Sequence, residues 1–469
     1  MSSSRTSFSD LYLDVDLTRS RGRRAALEGA LREAIRGRRL AHGTVLPSSR
    51  GLAHDLGLGR GTVVDVYSQL LAEGYLVTRP GGRTMVATEG VPTPPAPTRP
   101  DAAARTRLDL RPGLLDLAST FPRRAWLRAV RVVLNTAPDD VFDYGDPRGR
   151  PELRSELANY LARARGVVTT PERIMICAGF SNGLSLVSEA LKWTGHTRVA
   201  MEDPCLPAHR EIVSGGDLAV ASLPVDERGA RIDALARLDL RAAVLTPAHQ
   251  YPTGVTLQPA RRNQLVAWAR DRDGVVIEDD YDGEFRYDRQ PVGAVQGLDP
   301  DHVIYAGTVS KTMAPGIRIG WLVLPERLVD PIIDAHRLRG AAPPALEQLA
   351  LAHLLRDGHI DRHLRRVRVE HRKRRDALVG ALDELHPPVT TTGIAAGLHL
   401  VIRLSDATEA SVRSAAKARA IALAYLSDHH HHRRGANEGI VVGYARQPPT
   451  TFPQAVTHLI ALLREATSS

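Results

Sequence analysis

The sequence predicts an α/β protein in two unequal parts: an N-terminal winged helix-turn-helix, joined by a linker to a large α/β domain with a mainly parallel sheet and a smaller C-terminal α+β part. Three observations predict it. Residues 23–88 read as a helix, a helix-turn-helix and a glycine-tipped basic hairpin. Residues 89–107, EGVPTPPAPTRPDAAARTR, are rich in proline and alanine and show no apolar period. From about 108 to 330, short apolar runs alternate with helix-length segments, the pattern of a parallel sheet with its sites at strand ends. At 469 residues the chain is too long for one ordinary core. The expected bounds are 1–88 for the winged helix, 89–109 for a semi-rigid spacer and 110–469 for the large domain. Within the last, the large part covers about 110–357 and the small part about 385–469.

Composition narrows the setting. Hydrophobic residues at 43% and charged residues at 25% are ordinary for a globular chain. No apolar run approaches the ~20 residues that span a bilayer, and the start, MSSSRTSFSD, lacks the apolar core of a signal peptide. Two cysteines, Cys177 and Cys205, are too few for a disulfide framework. A cytoplasmic, reducing location with no membrane partner is expected. The net charge is +9, and residues 1–88 hold 13 arginines against 8 acidic residues. Under a fifth of the chain thus carries about half the net charge, which permits a polyanionic partner. The run His429–His432, followed by Arg433 and Arg434, reads as an exposed loop, and no metal site is expected.

In the N-terminal part, Leu27, Leu31 and Ile35 recur at fourfold spacing among arginines, an amphipathic helix with one buried stripe. Ser48 or Ser49 can cap a short helix running to about Leu56. Gly57-Leu58-Gly59 turns the chain, and a second helix from about Arg60 to Glu73 buries Val63, Val66, Tyr67 and Leu70–Leu71. YLVTRPGGRTMVA (75–87) is a hairpin whose tip, with Gly81, lies between Arg79 and Arg83. This order points to DNA binding. Arg60 and Thr62 would enter the major groove at the start of the second helix, Arg50 would meet phosphate or a base edge, and the wing would touch minor groove or backbone. Residues 26–88 resemble the GntR-type winged helix, with glycines 59 and 61 where that family often has Ser, Thr or Asn.

In the large part, RIMICAG (173–179), RVAMED (198–203), AAVLTP (242–247), GVVIEDD (274–280) and VIYAGT (303–308) read as buried strands. Residues 180–193 and 258–271 read as intervening helices, and 358–385 as a long basic helix. Only four of the 62 basic residues are lysines, and Lys311 follows the strand VIYAGT in a loop that returns through Pro315-Gly316 into IRIGWLVL. A lysine at a strand end in a cleft can lose its proton and attack an aldehyde. Arg318, Thr308 and Ser310 nearby suit a phosphate. Aldehyde and phosphate on one ligand describe pyridoxal 5'-phosphate (PLP), whose ring nitrogen needs a carboxylate partner. GVVIEDDYD offers Asp279 and Asp280, and periodicity does not choose between them.

SKTMAPGIRIGW, EDDYD, ICAGFSNGLSL, YGDPRGRPELR and TPAHQYPTGV together resemble the fold-type I, aspartate-aminotransferase-like PLP enzymes over about 110–465. The resemblance implies that Lys311 forms the Schiff base with PLP and Arg318 holds the phosphate. It implies Asp279 against the ring nitrogen, Tyr281 on the ring hydroxyl and the backbone amides of Phe180 and Ser181 at the phosphate. It places Tyr144 across a dimer interface at the neighbour's phosphate. A GntR winged helix joined to such a domain is the arrangement of the MocR-type transcription regulators. That family implies operator DNA, a small-molecule effector (PLP, an amine or an amino acid) and a head-to-tail homodimer.

Three positions depart from the aminotransferase pattern. Leu206 stands where a ring-stacking aromatic is usual, Tyr251 where an asparagine is usual, and Val441 where an arginine usually anchors the substrate carboxylate. By strand alternation Arg446 would face away from Val441. Efficient transamination is therefore not expected. Three readings follow: a PLP-responsive transcription regulator, a working aminotransferase with an accessory DNA-binding domain, and a DNA-binding protein whose large domain is a dimerisation scaffold.

Overall fold

The computed structural model describes residues 22–79, 83–87, 108–288, 292–339, 343–386, 389–404, 408–432 and 438–467. Gly81, Arg433, Arg434 and the linker up to residue 107 lie outside them. The chain divides into two compact units, residues 1–103 and 104–469.

In the first unit, α1 (Arg23–Arg36) buries Leu27, Leu31 and Ile35, as its fourfold spacing predicts. The Ser48 side chain accepts from the Gly51 amide at 3.1 Å and starts α2 (Ser49–Leu56). A cap of this kind contributes about 1 kcal/mol. Gly57, at φ 60°, ends α2, and α3 (Arg60–Ala72) begins after Gly59 with no capping side chain. Val63, Val66, Tyr67 and Leu70 of α3 close one core with Leu27, Leu31, Ile35 and Leu52. Each fully buried aliphatic side chain there contributes about 1.5–3 kcal/mol. The Tyr67 hydroxyl satisfies itself on the Pro47 carbonyl at 2.9 Å. The hairpin β1 (Leu76–Arg79) and β2 (Arg83–Val86) pairs antiparallel with Arg79 opposite Arg83.

The second unit opens with β3 (Leu108–Asp109) and centres on an eight-stranded sheet. Its strands are β4 (Ile174–Cys177), β5 (Arg198–Asp203), β6 (Ala219–Asp226), β7 (Gly229–Ala230), β8 (Ala242–Leu245), β9 (Val275–Asp280), β10 (Val303–Thr308) and β11 (Gly320–Val323). They run in the order β4-β11-β10-β9-β8-β5-β6-β7. The pairs β10–β9, β9–β8, β8–β5 and β5–β6 are parallel, while β11 and β7 are antiparallel to their neighbours. Residues alternate between two cores. Met201, Val244, Val275, Ile277 and Ala306 pack with the helix Phe180–Trp193, and Ala200, Ala243, Leu245 and Val276 pack with the helix Pro259–Asp271. Covering both faces is what makes these strands continuous apolar runs. Strands β6 and β7 carry no such run: β6 is partly exposed and contains Pro224, which suits a strand near a sheet edge.

The C-terminal part holds the 25-residue helix His359–Asp383 and a second sheet. That sheet orders β12 (Thr390–Thr392), β13 (His399–Arg403), β16 (Ile440–Gly443) and β15 (Ala424–Tyr425). Strand β14 (Ile421–Ala422) pairs in parallel with β3, so the first residues of this unit are tied to its last part.

Candidate functional site

A cavity of about 410 Å³ opens at the carboxyl ends of β5, β8, β9 and β10. It brings together Lys311, Asp279, Tyr281, Arg318, Phe180, Ser181, Thr308 and Ser310. Tyr144 does not line it and is fully exposed. Leu206 and Tyr251 line it, whereas Val441 is absent from its wall. The Val441 side chain is buried instead against Val401 and Leu426. Strand β16 stops at Gly443, so alternation does not reach Arg446, which pairs with Asp109.

Lys311 is half-buried, and its Nζ donates to the Gly113 carbonyl at 3.0 Å. Burial lowers its pKa, with Asp282 and Asp279 opposing the shift. Strand geometry separates the two adjacent aspartates. Asp280 points with Val276 away from the cavity, where its Oδ2 accepts from Arg165 Nε at 2.6 Å and from the Tyr305 hydroxyl at 2.8 Å. Asp279 points with Val275 and Ile277 to the cavity side and has no hydrogen-bond partner among the described residues. Burial raises its pKa well above the carboxylate range, and Asp280 and Asp282 add to the rise.

The phosphate-type groups line the same cavity. The helix Phe180–Trp193 starts after Gly179, which sits at φ 92° and supplies no capping side chain. The amides of its first turn therefore suit an anion. Arg318 holds a left-handed φ of 57°, an uncommon conformation for a non-glycine residue, and makes no ion pair with the described residues. The Thr308 hydroxyl donates to Ser310 Oγ at 2.9 Å.

A buried polar cluster backs Tyr281 and lay outside the sequence reading. The Tyr281 hydroxyl lies 3.2 Å from His249 Nδ1, which lies 2.9 Å from Asp282 Oδ2. His399 packs at 5.0 Å from the His249 ring, and its Nε2 donates to the Pro252 carbonyl at 3.0 Å. Burial pushes the His399 pKa well down, and pushes that of His209 down to about 4 with Lys311 adding to the effect. Of the histidine run expected as an exposed loop, His429–His431 are docked and His432 is exposed. His429 is buried, its Nε2 lies 3.1 Å from the Tyr251 hydroxyl, and Arg210 donates to its carbonyl at 2.7 Å. His430 Nδ1 and the His431 amide both reach Asp203 Oδ1, at 3.1 and 3.0 Å. Arg210 and Asp203 capture the run, and no local pattern announces partners more than 200 positions away.

These residues fit PLP. A buried carboxylate without a partner among the described residues suits a protonated ring nitrogen, a half-buried lysine suits an aldehyde, and an uncapped helix start beside an arginine unpaired among those residues suits a phosphate.

In the first unit, Arg50, Arg60, Arg79 and Arg83 are exposed and form no ion pair among the described residues, and Thr62 is half-buried. Arg32, by contrast, is held by Glu28 at 2.5 Å and Glu73 at 2.9 Å. These arginines lie on α2 (Arg50), at the start of α3 (Arg60) and on the hairpin (Arg79 and Arg83), where a winged helix meets DNA.

An N-terminal winged helix and an aminotransferase-shaped domain with a PLP-type cavity define a DNA-binding protein built on a PLP-enzyme fold. Residues 23–86 match the bacterial regulatory proteins of the gntR family, and residues 109–453 match aminotransferase class I and II. The chain is 34% identical to the HTH-type pyridoxine biosynthesis transcriptional regulator PdxR of Corynebacterium glutamicum, over 88% of this chain and 90% of that protein. It is 32% identical to the probable rhizopine catabolism regulatory protein MocR of Rhizobium meliloti, over 92% and 91%. The solved multiple substrate aminotransferase of Thermococcus profundus superposes with a TM-score of 0.70 at 24% identity, over 78% of this chain and 93% of that one. The chain belongs to the MocR-type HTH transcription regulators, in which a GntR DNA-binding domain precedes an aminotransferase class I and II domain. The cofactor of that aminotransferase family is pyridoxal 5'-phosphate. No helix among the described residues is long and apolar enough to cross a membrane.

Proposed function

We propose that this regulator binds operator DNA through its winged helix and responds to PLP, or to a small amine that meets it, in the cavity around Lys311. The observation that carries the reading is Asp279: a buried carboxylate with no hydrogen-bond partner among the described residues, lining the same cavity as an amine of lowered pKa. PLP, when bound, supplies an aldehyde and an electron-withdrawing ring. Lys311 offers the amine, and burial raises the unprotonated share of it near neutral pH. Asp279 holds a proton at the ring nitrogen, and Tyr281, braced by His249, orients the ring through its hydroxyl. Arg318, Thr308, Ser310 and the amides of Phe180 and Ser181 hold the phosphate. Arg60 and Thr62 read base edges, while Arg50, Arg79 and Arg83 meet the backbone or minor groove. The winged helix extends to about residue 88, and the spacer expected over 89–109 ends where β3 begins, since Leu108 and Asp109 pair with β14 in the large unit. Exposed Tyr144 serves a second copy of the chain in a head-to-tail homodimer in the cytoplasm. The occupant change would alter packing in the large domain and so the spacing of two winged helices on DNA.

The test is a visible absorption titration of cofactor-free protein with PLP, wild type beside Lys311→Ala, repeated with operator DNA. A band of lysine-bound PLP in wild type alone is expected. No band in either protein leaves the large domain a scaffold. Rapid multiple turnover of a common amino acid would favour the aminotransferase reading, which Val441 opposes by leaving no arginine at the usual carboxylate anchor.

A further inference from the structure

We propose that the cavity accepts, beside PLP, a short diamine: a primary amine with no carboxylate, whose second ammonium pairs with Glu202. The inference rests on the reading of the cavity as a PLP site and names the class of its second ligand.

The first observation is the charge left over. Among the described residues lining the cavity, Lys311 and Arg318 are the cations near neutral pH, and both serve the cofactor. His209 and His399 also line it, but burial keeps both neutral. A carboxylate entering this space would lose its water without gaining a cation, which is costly. Behind the cavity-lining Tyr251 stand rings that burial keeps neutral: it lies against His399 at 5.2 Å and against His429 at 5.3 Å.

The second observation is independent and has the opposite sign. Glu202, at the end of β5, is 4% exposed and lines the cavity. Its Oε2 takes three donors: the Thr246 amide at 3.0 Å, the Thr246 hydroxyl at 2.5 Å and Gln250 Nε2 at 3.2 Å. Its Oε1 takes none among the described residues. One oxygen of a buried carboxyl is thus anchored and the other is left for something in the cavity. Burial holds the Glu202 pKa up at about 7, so a cation beside it would readily bring it to the charged form. Tyr251 and Tyr281, packed edge to face with ring centroids 6.1 Å apart, line the same cavity and add aromatic surface that favours an ammonium over a carboxylate.

The test uses the full chain loaded with PLP and titrated calorimetrically with 1,4-diaminobutane, 1-aminobutane and 4-aminobutanoate. These three share a four-carbon chain and an amine and differ at the other end. The diamine is expected to bind at least about tenfold more tightly than 1-aminobutane, a difference of about 1.4 kcal/mol, with 4-aminobutanoate weakest. Glu202→Gln, which keeps an acceptor oxygen for Thr246, is expected to remove the preference for the diamine. If that variant fails to load PLP, the order of the three ligands on wild type decides alone. Equal binding of diamine and 1-aminobutane overturns the proposal. So does binding of 4-aminobutanoate or L-alanine as tight as the diamine, which would place a cationic anchor in the site, for instance from a second copy. Absence of the PLP band in wild type defeats the cofactor reading itself, a different failure from a wrong ligand order.

Discussion

Lys311 Nζ donates to the carbonyl oxygen of Gly113, 198 positions earlier, at 3.0 Å. Gly113 sits at φ 84°, and a Cβ there would lie 2.9 Å from that same Nζ. A glycine is needed at this point both for the backbone and for the space that the amine occupies. Gly113→Ala should therefore destabilise the protein by about 1–3 kcal/mol through the strained backbone. It should also weaken PLP binding, because the displaced amine no longer meets its partner. Thermal unfolding and a visible PLP titration check the two effects, and a variant with wild-type affinity would free Lys311 from this positioning.

Asp279 gives a pH signature in the cofactor-free protein. Its folded pKa is raised by burial and by Asp280 and Asp282, so the folded state holds the proton more tightly than the unfolded chain. That contribution is complete below the unfolded value of about 4 and is lost as pH rises toward the folded value. Asp279→Asn should flatten this decline and raise the stability of cofactor-free protein near neutral pH, on the order of 1–2 kcal/mol. The same change should weaken PLP retention by about 1.5–3 kcal/mol, the worth of a hydrogen bond to a charged group. Unfolding curves between pH 4 and 8 and cofactor dialysis measure the two. Loss of stability without loss of PLP would reverse the assignment.

Arg318→Lys keeps the charge and the same left-handed backbone demand but loses the planar fork. PLP should bind about tenfold more weakly, as expected for the loss of a bidentate phosphate contact. Pyridoxal, which lacks the phosphate, should bind both proteins equally. An equal loss for both ligands would place Arg318 elsewhere in the site.

Two arginines of the winged helix should behave differently. Arg60 is exposed and unpaired at the start of α3, whereas Arg32 is locked between Glu28 and Glu73. Arg60→Ala should cost about 1–3 kcal/mol of operator affinity with little effect on non-operator DNA. Arg32→Ala should leave the footprint unchanged and cost under about 1 kcal/mol of stability, as exposed pairs do. Footprinting of both variants on operator and scrambled DNA decides.

Much of this protein was legible in the chain because the signals are local. Leu27, Leu31 and Ile35 form a helix stripe by spacing alone, Ser48 and Gly57 punctuate the next helix, and the β5, β8, β9 and β10 segments read as buried strands from their apolar runs. Lys311, Arg318, Thr308 and Ser310 stood out as residue types suited to one ligand, and the family resemblance added Tyr281. Other features depend on what the sheet brings together. Asp279 and Asp280 are neighbours in sequence, and only the covering of β9 on both faces sends one to the cavity and the other to Arg165. Strand β6 lacked the apolar signature because it is half exposed. The histidine run looked like a loose loop because Arg210 and Asp203, which hold it, are remote in the chain. Gly113 beside Lys311, and the free oxygen of Glu202, belong to the same class. Sequence by itself determined the two-domain architecture and the cofactor chemistry, since periodicity and residue type are properties of short segments. Tertiary structure alone decided which groups share the cavity and which charges in it remain unpaired, because burial and hydrogen bonding are settled by partners that the chain order does not display.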